Sequence, residues 1–126
     1  MSNILTAFND HFIEFVNDVH FVFPNDADIL ATKNALTAIR KMNPKMIVKI
    51  WKSFIVSKYK SEIESGNIEF FINKDYSQDV SLTKNSDKIM ESIDRLRDPV
   101  KNMTIEEQAK VMKYIQNLTK LAELCE

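Results

Sequence analysis

The sequence predicts an all-α protein, a single compact domain of five to six helices over residues 1–126. Three observations predict it. The chain has one glycine, Gly66, whereas tight hairpin turns favour glycine. Apolar residues recur at helical spacing in four segments. No two segments read as a convincing pair of strands. With 44% apolar residues, a chain of this length can bury a real core.

Ile4, Leu5, Phe8, Phe12, Phe15, Val16 and Val19 fall on one stripe and predict a first helix over about 3–22. Pro24 ends it. Asn25 or Asp26 then caps a second helix, and Asp28 in its first turn suits the helix dipole. Ile29, Ala35, Leu36 and Ile39 are its expected buried face. Asn43-Pro44 stops one helix and starts another, because proline at a first helical position loses no needed hydrogen bond. The third helix runs from Pro44 toward Ser65, with Ile47, Ile50, Trp51, Phe54, Ile55 and Tyr59 inward. Gly66 then supplies a left-handed terminating residue.

The next stretch, NIEFFI, reads as a short helix capped by Asn67 in preference to a strand, since no partner strand is evident. Residues 75–86 are polar and predict a loop. Ser86 to Arg97 predicts a helix with Ile89, Met90, Ile93 and Leu96 inward and Pro99 after its end. Thr104 and Glu107 have capping-box spacing. The last helix follows, with Ile105, Val111, Met112, Ile115, Leu118, Leu121, Ala122 and Leu124 or Cys125 on its apolar side.

Several functional classes are disfavoured. A single glycine cannot build a phosphate loop or a dinucleotide-binding turn. No apolar run approaches the ~18 residues of a membrane span, and MSNILTAFNDHF lacks the basic start and cleavage site of a signal peptide. The lone Cys125 can staple nothing within the chain and has no histidine partner to activate it, which fits the reducing cytoplasm. Glu62 and Glu64 point to different helix faces and make a poor acid–base couple. NDAD at 25–28 resembles the start of a calcium loop but lacks its glycine and terminal glutamate, and a helix cap explains it. His11, Glu14 and Asp18 share one side of the first helix. No matching ligand pair stands on another helix, and Phe8, Phe12 and Phe15 leave them mostly outward. The expectation is therefore no catalytic residues, no metal and no cofactor.

Charge is arranged in blocks. Residues 1–30 hold five acids and no Lys or Arg, and 33–60 hold eight bases and no acid. Residues 61–94 hold eight acids and three bases. Such striping suggests contact with charged neighbours or between the chain's own segments. Arg40, Lys41, Lys45, Lys49, Lys52 and Lys58 are the candidate partner-binding residues. Lys45, Lys49 and Lys52 lie at i, i+4 and i+7, as a phosphate-binding row could. Trp51, Phe54 and Tyr59 could stack on unpaired bases. They equally belong to a buried stripe whose opposite, solvated face carries the lysines. The net charge of −1 and the flanking acidic blocks favour protein partners.

FNDHFIEFVNDVHFVFPNDADI, AIRKMNPKMIVKIW, DRLRDPV and KYIQNLTKLAEL together resemble a family of short helical proteins encoded by nucleocytoplasmic large DNA viruses of algae and other protists. The resemblance covers nearly the whole chain and carries no catalytic signature. It implies a virion structural protein assembled in the host cytoplasm, a minor capsid component that cements major capsid capsomers. Its partners would then be other capsid proteins, with nucleic acid as the alternative through residues 33–60.

Overall fold

In a computed structural model, which describes residues 2–72, 92 and 95–125, every regular element is helical. Helix α1 spans Ser2–Val22 and α2 spans Ala27–Met42. Helix α3, Met46–Ile50, runs without a break into a π-helical segment, Trp51–Val56, and then into α4, Ser57–Ser65. A short α5 covers Glu69–Ile72. Residues 95–101 form α6, and α7 is Ile105–Leu124. Among these elements none is long and apolar enough to cross a membrane.

The boundaries follow from local chemistry. The Asp26 carboxylate accepts from the backbone N–H groups of Asp28 and Ile29 at 2.9 and 3.2 Å, which fixes the start of α2. Gly66 closes α4 with φ +77°, a left-handed conformation that costs glycine little. Its N–H donates to the Ile63 carbonyl and that of Asn67 to the Glu62 carbonyl, the paired bonds of a Schellman ending. Asn67 then accepts from the Glu69 N–H at 3.0 Å and opens α5, so NIEFFI is a helix turn and not a strand. Thr104 and Glu107 form the reciprocal capping box of α7.

Helix α1 lies antiparallel to α7 and also packs on α2, while the α3–π–α4 rod packs across α1 and α7. Phe8 and Phe12 of α1 pack against Trp51, which is 1% exposed, and Phe15 packs edge to face on Phe12. The Phe12 and Trp51 rings meet edge to face at 5.6 Å, a favoured aromatic geometry. The Trp51 Nε1–H donates to the Thr119 hydroxyl at 3.3 Å, and that hydroxyl donates to the Ile115 carbonyl at 2.9 Å. The buried indole therefore keeps a partner for its one polar atom. The side-chain amide of Gln116 donates to the Ile63 carbonyl at 2.9 Å and ties α7 to the end of α4.

Some expected faces differ. On α2, Thr32 is buried and Ala35 exposed, so the core-facing stripe is Ile29, Thr32 and Leu36. On the third rod Val48 and Val56 are buried and Phe54 is half-buried. The rod contacts both neighbouring helices and changes turn width at Trp51, which broadens its buried side beyond one α-helical stripe. Ile105, expected on the apolar side of α7, is its first residue and is 85% exposed. Pro99 lies inside α6, which ends at residue 101. Proline removes only its own N–H from the ladder, and Asn102 still donates to the Asp98 carbonyl at 3.2 Å. Leu96 is buried as expected. The expected 75–86 loop, and Ile89, Met90 and Ile93 with most of their helix, lie outside the described residues.

Candidate functional site

The six basic candidates separate into two groups. Arg40, in the last turn of α2, reaches across to Asp10 of α1 and pairs with it at 2.5 Å. Lys52 is half-buried, and its ammonium donates to the Cys125 carbonyl at 2.8 Å. Cys125 is the residue that caps α7, so the ammonium stands beside the C-terminal end of that helix, where a cation complements the negative end of the dipole. Both residues thus join elements of the fold, and the expected row Lys45, Lys49 and Lys52 is broken at its third member. Lys60, next to the candidates in sequence, pairs with Glu123 at 2.7 Å, which raises its pKa through that hydrogen bond and charge. Acidic and basic blocks therefore do meet within the chain.

Lys41, Lys45 and Lys49 remain exposed around the corner between α2 and α3. The corner is held from below. Asn9, buried in α1, donates its side-chain amide to the Pro44 carbonyl at 2.8 Å. The Asn43 side chain accepts from the Lys45 N–H at 3.2 Å. Met42 stands among the lysines and is 85% exposed. Lys58 is exposed on α4, beyond the π segment. The aromatics of the segment do not share this surface: Trp51 and Tyr59 are buried and Phe54 is half-buried.

Of His11, Glu14 and Asp18, only Glu14 is outward as expected. His11 and Asp18 are half-buried and face Tyr114 of α7. The His11 ring lies 4.8 Å from that of Tyr114, and its Nδ1 is 3.4 Å from a Glu14 carboxylate oxygen. The Tyr114 hydroxyl donates to the Asp18 carboxylate. Burial first, and the Asp18 carboxylate second, raise the Tyr114 pKa above the ordinary phenol value. The phenol is thus held neutral, as a donor to an acid, which joins α1 to α7. Among the described residues no group of three His, Cys, Asp or Glu is arranged to hold a metal ion. Tyr114 was not foreseen as a partner of this set. Its signal was three residues of spacing from Val111, which places a phenol at the border of the α7 apolar stripe.

A cavity of about 220 Å³ opens between the C-terminal end of α1 and the N-terminal half of α7. Phe15, Val19, Val22, Met103 and Val111 give it an apolar lining. Asp18, Glu107, Lys110 and Tyr114 supply polar groups, and Phe21 forms a wall while remaining 85% exposed. Ile105 is exposed two residues from both Met103 and Glu107, at the same end of the molecule. The sequence left Phe21 off the apolar stripe of α1, which agrees with its exposure, but nothing in it pointed to a cavity beside that ring.

Comparison with family models, curated proteins and solved structures finds no match to this chain.

Proposed function

We propose that the chain is a structural interaction protein, a minor capsid component of a large icosahedral DNA virus that works by binding neighbouring shell proteins. The observation that carries the interaction reading is the pair of surfaces toward opposite ends of α1. One end combines exposed Phe21 and Ile105 with an apolar cavity. The other presents Met42 within the exposed lysines 41, 45 and 49. Exposed apolar groups rimmed by charge suit protein partners. Charge matching at such a rim fixes register and rejects wrong partners more than it adds affinity. The virion assignment rests on the sequence resemblance described above.

Nucleic-acid binding is the second reading, and the exposed Lys41, Lys45 and Lys49 favour it. Its stacking component has little support, since Trp51 and Tyr59 are in the core.

Mass spectrometry of purified particles of the virus that encodes the chain tests the capsid reading. The expected result is abundance comparable with known shell proteins. Presence in infected cells with absence from particles would overturn it.

A further inference from the structure

We infer that the Phe21 end of the molecule is a self-association surface, on which two copies meet about a twofold axis and each places its Phe21 ring in the other's cavity. The reading stands apart from the capsid assignment and needs no other viral protein.

An isologous interface requires one patch to be complementary to itself. This patch carries both halves of such a contact. The knob is Phe21, 85% exposed at the last turn of α1. The hole lies directly beside it, about 220 Å³ in volume and lined by Phe15, Val19, Val22, Met103 and Val111. A cavity of about 150 Å³ already accommodates a benzene ring, so a phenyl group fits. Because knob and hole are neighbours, one rotation satisfies both at once.

The charges at the rim are self-complementary in the same way. Lys110 is exposed, and Glu107 and Asp18 supply carboxylates. A rim of a single sign would repel its own copy, whereas this one offers each copy's lysine an acid on the other. Tyr114 and Thr104 hold the two acids in place, since Asp18 accepts from the phenol and Glu107 from the Thr104 N–H. Ile105, exposed at the same end, extends the apolar area around the ring. Buried aromatic anchors of this kind dominate interface energetics.

Sedimentation equilibrium over a protein concentration series provides the test, with wild type, Phe21→Glu and Phe21→Leu compared and circular dichroism used to confirm that each is folded. An exposed position tolerates both replacements. Wild type should dimerise, and Phe21→Leu should retain the dimer. Phe21→Glu should raise the dissociation constant by roughly 100-fold or more, because each dimer loses two anchors. A wild type that stays monomeric throughout would overturn the inference and leave the cavity to a side chain of a different protein. A dimer of undiminished affinity in Phe21→Glu would overturn it equally, by placing the contact elsewhere.

Discussion

Trp51 joins three parts of the molecule through one side chain. It stacks edge to face on Phe12 of α1, belongs to the π segment, and donates to Thr119 of α7. Trp51→Ala should therefore destabilise the protein by about 3–5 kcal/mol, read from denaturant unfolding, with the cavity left behind adding to the lost transfer energy. Its burial was legible, since Ile47, Phe54 and Ile55 surround it at helical spacing. Its hydrogen bond was not, because nothing local in KIWKSF refers to Thr119, 68 residues away. Tyr114 makes a second prediction. Its folded pKa is raised, so the native state holds the phenol proton more tightly than the unfolded chain does. The associated stability is fully present below about pH 10 and is lost as pH rises toward the folded value. Tyr114→Phe should remove that part of the alkaline decline when stability is followed against pH. An identical decline in both proteins would sink the assignment.

Helix ends were the most legible elements, because a cap is decided within a few residues. Asp26, Gly66 and the Thr104–Glu107 pair all act where the sequence placed them, whereas α3 begins at Met46 after Lys45 and not at Pro44 under an Asn43 cap. Thr104→Ala should cost about 1 kcal/mol of stability and fray the start of α7, and hydrogen exchange at Glu107 and Gln108 should quicken first. Protection there equal to wild type would contradict the capping role. Helix faces were less legible, because a face is set by which neighbours a helix touches. Thr32 is buried and Ala35 exposed on α2. The turn-widening at Trp51–Val56 has no composition signal, and it lies where the rod packs against α7. Tyr59, with φ −125° and ψ 20°, bends the same rod just beyond. His11 and Asp18 on α1 were misplaced for the same reason: their side of the helix is closed by Tyr114, a residue on the distant α7.

At the scale of the whole molecule, the block arrangement of charge has two uses. Part of it is paired within the chain, through Arg40 on Asp10, Lys60 on Glu123 and Lys52 on the Cys125 carbonyl that follows α7. The exposed lysines at the α2–α3 corner, Lys41, Lys45 and Lys49, are what a partner would meet there. Sequence alone could mark the basic segment but could not divide it, because the division depends on which acids and carbonyls fold against it. The central claim is that these lysines serve protein contacts and not phosphate binding. Its most direct test is a titration of the free protein with duplex and single-stranded nucleic acid at near-physiological salt, beside the triple replacement Lys41→Gln, Lys45→Gln, Lys49→Gln. Exposed charges contribute only about 0–1 kcal/mol each to stability, so the variant should fold as wild type does. The account predicts no specific or salt-sensitive binding by either protein. Micromolar or tighter binding by wild type that weakens steeply with salt and vanishes in the triple variant would contradict it, since three phosphate contacts would then have been lost.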